Sequence, residues 1–563
     1  MMSSPQHTIT VNMFWFWILF QVLLFCLSVE ATATPPPHVL LIVADDYGHN
    51  DIGYQQNSPT TSNLNPNGLN TTNVKLLTPT LDRLASEGMK LNNYYVQPLC
   101  SPTRGTILTG RYPSHTGIGP NVIRPTHPYA MPKREVLIAE KFKQVGYSTH
   151  IVGKWHLGLC DERYTPTFRG FDSFTGYLLG AEDYYYHNRS DSGYHGLDLR
   201  NTTNLFNSSN VFPKATHDAY GIYSTDVFTN EVERIVSERD LQVNPKPLFL
   251  YMPFQSVHGP LQAPVFEMNK YPSVMNTARR KYAGMVSALD DAVLKIETIY
   301  KKYQIWNNTL MIFTTDNGGP LKSANNFPLR GHKATSWEGG VRGISFVRGL
   351  NVPGNTVTQE LMHSTDWYAT LSSVAGYDIT YPTQPLPLDG VNQWNILTGA
   401  TDANGKLLKT SRLNIMHNCP GSTEENDLGG AYRSGVYKLL MASKTMQVNS
   451  GMIQTPPPGN RLNVPWVPPA ELICPPPKGI LMNGVVSWLF HIRDDPKECV
   501  NIIESSKEMY EKVYQEFINY KKTAVSDLAL MYGTSDPASN PKKRWDKAWG
   551  PWSKRSNKCQ WLL

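Results

Sequence analysis

The stretch that most constrains this chain is "HVLLIVADD", residues 38 to 46. Val39 to Ala44 are apolar without a break, and two aspartates end the run. A strand with one wet face alternates apolar and polar residues. One without alternation is covered on both faces, as in a parallel sheet. The pattern recurs, each time behind an amphipathic helical segment. "EVLIAEKFKQVG" precedes "YSTHIVGKW", "STDVFTNEVERIVSER" precedes "PLFLYMPF", and "YAGMVSALDDAVLKIETIYKKY" precedes "TLMIFTTDNGG". "TPTLDRLASEG" is a further helix with a threonine start and a glycine stop. This alternation predicts an α/β fold, a large and mostly parallel sheet flanked by helices.

The character changes near residue 410. "AYRSGVYKLLMAS" and "VSWLFHIRDDP" read as short strands of a meander on either side of a Pro-rich loop, and "SSKEMYEKVYQEFINYKKTA" reads as a helix. The expected division is a signal peptide over 1–33, a catalytic α/β domain over 34–410, and a smaller C-terminal α+β domain over 411–563 with a basic, Trp-containing tail. A chain of 563 residues has room for both.

Residues 13 to 29 are almost wholly apolar, and "ATA" at 31 to 33 offers small residues for cleavage. The run lacks a basic flank and is long enough for a signal anchor. Cleavage is the preferred reading, because Pro-rich sequence and then the first strand follow at once. No later segment reads as a membrane span. Sequons at Asn70, Asn188, Asn201, Asn207 and Asn307 agree with the secretory route, to the cell exterior or the lysosome. The net charge of +6 is spread along the chain except in "NPKKRWDKAWGPWSKR", too thin a basic face for nucleic acid.

Seven cysteines occur, with Cys26 in the leader. The rest are too few and dispersed for a disulfide-built fold. If Cys100 stands outside any bridge, the remaining five cannot all pair. Cys419 and Cys474, flanking the Pro-rich loop, are the expected bridge.

Ligands of open parallel sheets gather at the carboxyl ends of the strands. Asp45 and Asp46 follow the first strand, Lys154 and His156 the second, His258 the third, and Asp316 and Asn317 the fourth, with Lys333 close behind. Singly, each has a plainer use, as a turn, a helix cap or a solvated charge. Together they converge on one sheet edge. Asp45, Asp46, Asp316 and Asn317 offer oxygen only, which favours Ca²⁺ or Mg²⁺ over zinc, and Ca²⁺ in a secreted protein. Lys154, Lys333, Arg104, His156 and His258 around them suit a tetrahedral oxyanion, a sulfate or phosphate ester. Cys100 heads "CSPTRGTILTGR", at the expected N-terminus of a helix, where a nucleophile would face an anionic ester.

"CSPTRGTILTGR" resembles the first sulfatase signature, C-x-P-x-R with a T-G-R-like end, and "GYSTHIVGKWHLG" resembles the second. "LLIVADDYGHNDIGY" and "TDNGG" complete the pattern in order, so the resemblance runs from about residue 38 to at least residue 500. Thr103 stands where the commoner form has serine, and keeps the hydroxyl. "GYLLGAEDYYYH", "FQSVHGPLQAP", "YAGMVSALDDAV" and "NNFPLRGHKATSWEGGVRG" look like the arylsulfatase B branch, which includes an N-acetylgalactosamine-4-sulfatase and is related to arylsulfatases I and J. Where that branch carries cysteines, "NVIRPTHPYAMPKRE" has none, which leaves Cys160 and Cys559 without family partners.

The resemblance implies an alkaline phosphatase-like fold and a mechanism. A formylglycine-generating enzyme would oxidise Cys100 during synthesis. The hydrated aldehyde would supply one hydroxyl to attack sulfur and a second through which sulfate is later released. Asp45, Asp46, Asp316, Asn317 and the modified Cys100 would hold one Ca²⁺. Arg104 and His156 would orient the diol, Lys154 and Lys333 would bind sulfate oxygens, and His258 would bind sulfate and protonate the leaving oxygen. The substrate would be an aryl sulfate or a sulfated carbohydrate. Two other readings stay open at this point: a phosphate or phosphonate ester hydrolase of the same superfamily, and a non-catalytic, secreted glycan-binding relative.

Overall fold

The structure is a computed structural model that describes residues 35–56, 75–206, 208–379, 385–419, 429–442, 474–544, 546–555 and 559. The expected signal peptide with Cys26, the sequons at Asn70 and Asn207, and most of the Pro-rich loop lie outside them.

The central element is a ten-stranded sheet. In chain order its strands are β1 (His38–Ala44), β2 (Met89–Leu91), β3 (Ser148–Lys154), β4 (Ser173–Tyr177), β5 (Arg200–Asn201), β6 (Lys214–Ala215), β7 (Leu248–Pro253), β8 (Thr309–Thr315), β9 (Ser345–Arg348) and β10 (Thr356–Thr358). They lie side by side as β10-β2-β9-β8-β1-β7-β3-β4-β5-β6. The middle five, β8-β1-β7-β3-β4, are parallel. β9 pairs antiparallel with both β8 and β2, while β5 does so with β4 and β6.

All seven residues of β1 are buried. Because successive side chains point to opposite faces, Leu40, Ile42 and Ala44 enter one core cluster, and Val39, Leu41 and Val43 the other. Helices α1 (Pro79–Ser86), α4 (Ser224–Asp240) and α5 (Thr277–Lys302) cover the first face. Helices α2 (Cys100–Thr109), α3 (Ile138–Gln144) and α6 (Asp366–Val374) cover the second. The expected helices and buried strands are all present.

A smaller antiparallel sheet follows, of β11 (Asn414–Asn418), β12 (Gly430–Ser434), β13 (Tyr437–Met441), β14 (Ile480–Met482) and β15 (Val485–His491), ordered β11-β12-β13-β15-β14. Helix α7 (Lys507–Lys521) packs on it through Tyr510, Val513 and Phe517. The tail then returns to the large core, where Trp549, Trp552 and Cys559 are buried.

The disulfides differ from those expected. Cys474 bonds to Cys499, not to Cys419, because the hairpin β14–β15 brings residues 25 apart in sequence to a Cα separation of 5.5 Å. Cys160 and Cys559, left without partners above, bond to each other across 399 residues. Cys419 is buried outside both disulfides. No helix among the described residues is long and apolar enough to cross a membrane.

Candidate active site

The five parallel strands all point their carboxyl ends at one edge, and that edge collects the acidic groups. Asp45 and Asp46 leave β1, and Asp316 and Asn317 leave β8, its neighbour. All four are buried. Asp46 turns the chain sharply, with φ of 59°, and its amide donates to Asp316 Oδ1 at 3.2 Å. Asn317 Nδ2 donates to Asp46 Oδ1 at 2.8 Å.

Cys100 begins α2, with Leu99 as the N-cap residue. The helix ends at Gly110, whose φ of 69° and amide bond to Thr106 O form a left-handed cap. Its ten residues are all buried, so its hydroxyls find partners inside the protein: Thr103 Oγ1 accepts from the Gln97 amide at 2.9 Å, and Ser101 Oγ donates to His156 O at 2.9 Å. The helix projects Cys100 Sγ to 3.7 Å from Asp45 Oδ1. One turn on, Arg104 Nη2 lies 2.8 Å from Asp316 Oδ2 and 3.3 Å from Asp45 Oδ2. Lys154, the last residue of β3, reaches Asp45 Oδ2 at 2.5 Å. Lys333 Nζ sits 2.6 Å from Asp46 Oδ1, and His258 Nε2 3.6 Å from Asp46 Oδ2. His156 has φ of 58°, and Gly180 makes room for its ring: a Cβ there would stand 2.7 Å from Cε1.

Every catalytic, sulfate-binding and metal-site residue read from the sequence thus falls in one place, in two layers. Cys100, His156, His258 and Lys333 line an open pocket of about 380 Å³. Arg104 and Lys154 lie behind, fully buried against the carboxylates. The sequence reading missed the outer wall: Val122 and Arg124 from the "NVIRP" loop, and Arg189 and Asp191 from the hairpin Asn188–Asp191/Tyr194–Leu197. These residues follow no strand and carry no periodicity. Among the sequons, Asn307 is exposed on a short turn, while Asn188 and Asn201 are half-buried.

The electrostatics are uneven. Burial opposes the charge of Asp45, but Lys154, His258, Arg104 and Lys333 outweigh it and hold the carboxyl well below its usual range. Burial, then the charge of Asp45, lifts Asp316 to about 7. The Cys100 thiol is pushed up to about 12, mainly by burial, so at neutral pH it is no thiolate. Burial and then Lys333 lower His258 to about 4, and burial with Lys154 holds His156 well below its usual value.

A hard cation fits this set. Asp45, Asp46, Cys100 and His258 present ligand atoms within 4.8 Å of one another. Asn317 Oδ1 is buried and has no hydrogen-bond partner. Adjacent carboxylates that resist ionising together, beside an orphaned amide oxygen, are what an oxygen-coordinated cation would satisfy.

Comparison with known proteins agrees. The family model described as Sulfatase matches residues 37–377. Arylsulfatase J of Mus musculus is 38% identical over 535 residues, 93% of this chain and 82% of its own. Arylsulfatase A of Bos taurus is 30% identical over 397 residues, 67% of this chain and 71% of its own. N-acetylgalactosamine-6-sulfatase of Canis lupus familiaris is 30% identical over 376 residues, 64% of this chain and 66% of its own. Among solved structures, Ps i-CgsB in complex with k-i-k-neocarrahexaose is 25% identical with a TM-score of 0.65, covering 87% of this chain and 94% of that one. The chain belongs to the sulfatase family, hydrolases of sulfate esters.

Proposed function

We propose that this chain cleaves sulfate esters on a sulfated carbohydrate, using Cys100 after its conversion to formylglycine by a formylglycine-generating enzyme, with one Ca²⁺ at Asp45, Asp46, Asp316 and Asn317. The observation that carries the reading is the placement of Cys100. It stands at a helix N-terminus, 3.7 Å from a carboxylate, at the base of a pocket walled by two histidines and a lysine. Its thiol is held protonated, so an unmodified cysteine is a poor nucleophile here. The hydrated aldehyde would supply two hydroxyls on one carbon, one to attack sulfur and one through which sulfate would later be released. A cation held by Asp45, Asp46, Asp316 and Asn317 would supply the positive charge that an anionic ester and its nucleophile need.

The chain's own groups do the rest. Lys333 at the pocket wall, with Lys154 behind it, offsets the charge of the sulfate. Arg104 fixes Asp45 and Asp316, and with His156 orients the hydroxyls of residue 100. His258 binds sulfate and gives the leaving oxygen its proton. Burial and Lys333 keep its ring neutral at rest, and the charge of an incoming sulfate favours protonation.

The glycan reading draws on two similar proteins, Ps i-CgsB with its bound k-i-k-neocarrahexaose and the canine N-acetylgalactosamine-6-sulfatase. N-acetylgalactosamine 4-sulfate is the first substrate to try. Residues 34–410 form the catalytic part and 411–563 the smaller one. Two disulfides and an exposed sequon at Asn307 support the secretory pathway, to the exterior or the lysosome. Peptide mass spectrometry across residues 96–111, on protein from a modification-competent host, tests the reading. The expected result is loss of the thiol in favour of the aldehyde, with turnover of an aryl sulfate well above that of the matching phosphate. An intact thiol together with full activity would end it.

A further inference from the structure

Two cavities meet beside Cys100. The first is the pocket of about 380 Å³ described above. The second, of about 330 Å³, shares Leu99, Val122 and Arg124 with the first and runs on to Ser535 in the C-terminal segment. Its lining includes none of Cys100, His156 and His258, so it adds room without adding chemistry. Its size lies within the range of about 300–1,000 Å³ common for small-ligand sites.

Arg124 stands at the junction of the two cavities, and its side chain is exposed. The other cations of the first pocket wall already face carboxylates: Lys333 meets Asp46 at 2.6 Å, and Arg189 meets Asp191 at 3.9 Å. Among the described residues, no carboxylate pairs with Arg124. An uncommitted guanidinium at such a junction has its planar set of donors free for a carboxylate or sulfate.

The loop that carries it is braced. The Arg124 amide donates to His127 Nδ1 at 3.3 Å, and the His127 amide donates to Arg124 O at 3.1 Å. Thr126 Oγ1 lies 2.8 Å from Ser535 Oγ, and the Asp536 amide donates to Thr126 O at 2.9 Å. Trp552 Nε1 in turn donates to Asp536 Oδ2 at 3.2 Å, and the Cys160–Cys559 bridge pins that tail to the large core. The guanidinium is therefore presented from a fixed turn, as a specificity contact requires.

We propose that the second cavity is a subsite for the sugar residue next to the sulfated one, and that Arg124 selects substrates whose neighbouring residue carries an anion, either a uronate carboxylate or a second sulfate. The inference rests on the reading of the Cys100 site as a sulfatase centre acting on carbohydrate.

The test compares the full chain with its Arg124→Gln variant, both from a host that makes formylglycine. Four probes are used: a nitrophenyl sulfate, and three disaccharides with the same sulfated residue whose neighbour is neutral, a uronate, or itself sulfated. In the variant, kcat/KM on an anionic-neighbour disaccharide, relative to the nitrophenyl ester, should fall about tenfold or more through KM, the size of one charge-assisted contact. The same ratio for the neutral-neighbour disaccharide should move by less than about twofold. The anionic arm with the larger loss tells carboxylate from sulfate, and Arg124→Lys should recover part of it. Parallel losses on all four probes, or none, would overturn the proposal. Calorimetric affinities in a Cys100→Ala background read the contact without turnover, and an unchanged Kd for both anionic disaccharides on adding Arg124→Gln would overturn it too. Failure of the parent protein to cleave the nitrophenyl ester would instead count against the sulfatase reading.

Discussion

Two of the charge clusters buried among the described residues are built differently. At the sheet edge, Asp45, Asp46 and Asp316 face Arg104, Lys154 and Lys333. Where β13 meets the segment at residue 338, Lys438 Nζ lies 2.9 Å from both Glu338 Oε1 and Glu498 Oε1. Tyr95 donates to Glu338 Oε2 at 2.7 Å, and the Glu338 amide donates to Glu498 Oε2 at 2.7 Å. Both clusters shift pKa values strongly, so a shift alone does not mark an active site. The difference lies in what is left over. The second cluster is closed, with Lys438, Glu338 and Glu498 fully buried. The first opens on a pocket through Cys100, His258 and Lys333, and carries an amide oxygen with no partner. Charge closed in on itself ties the small sheet to the helical segment at residue 338, whereas charge left open awaits a ligand.

The sharpest way to break that contrast is Asp46→Asn. Asp46 meets Lys333, which is partly exposed and stays solvated, so the fold should survive. Activity on an aryl sulfate should fall on the order of 10³-fold or more, as a cation ligand is lost. Added Ca²⁺ should raise the unfolding midpoint of the parent protein and leave that of the variant unmoved, because only a binding-competent native state gains by mass action. Wild-type turnover in Asp46→Asn would remove it from the site. The matching change in the closed cluster is Lys438→Met. It takes the shared cation from Glu498 and Glu338, leaving Glu338 with Arg342 at 3.5 Å, and should cost about 3–5 kcal/mol by denaturant unfolding. A cost under about 1 kcal/mol would mean that the closed cluster binds nothing together.

How much of this was legible in the sequence also divides along the two regions. The central strands were readable because burial on both faces leaves an unbroken apolar run, as in Val39 to Ala44. The antiparallel flanks were not, since β5 and β6 have two residues each and β9 only four. The inner site was readable because Asp45, Lys154 and Asp316 sit directly at or after strand ends. The pocket wall was not, because Arg124 and Arg189 gain their meaning from a loop and a hairpin braced by a distant tail. The closed cluster was equally silent, as residues 338, 438 and 498 have no spacing in common. The bridges failed for the same reason: a pairing over 399 residues is fixed by where the tail docks, not by any local signal.

The smallest expected effect separates the clusters by pH. Glu498 is pushed up to about 7, mainly by burial and further by the charge of Glu338, against the pull of Lys438. Glu338 goes the other way: burial opposes its charge, but Lys438, Arg342 and Arg433 bring it down to about 2. A carboxyl raised in the fold gives stability that is complete below its unfolded value and is lost as pH rises through about 7. A carboxyl lowered in the fold gives stability present above its unfolded value and lost as pH falls toward about 2. The closed cluster is therefore firmest near the ordinary carboxylate range, and it loosens from there toward neutrality as Glu498 gives up its proton. Between pH 5 and 8 the Glu498 contribution should decline by about 1–3 kcal/mol, and Glu498→Gln should flatten that part of the unfolding curve. The substitution keeps an acceptor for the Glu338 amide and leaves Lys438 with Glu338, so the fold should persist for the comparison. An unchanged slope in Glu498→Gln would show that Glu498 binds no extra proton in the native state, and that this cluster is as fully ionised as its surface counterparts.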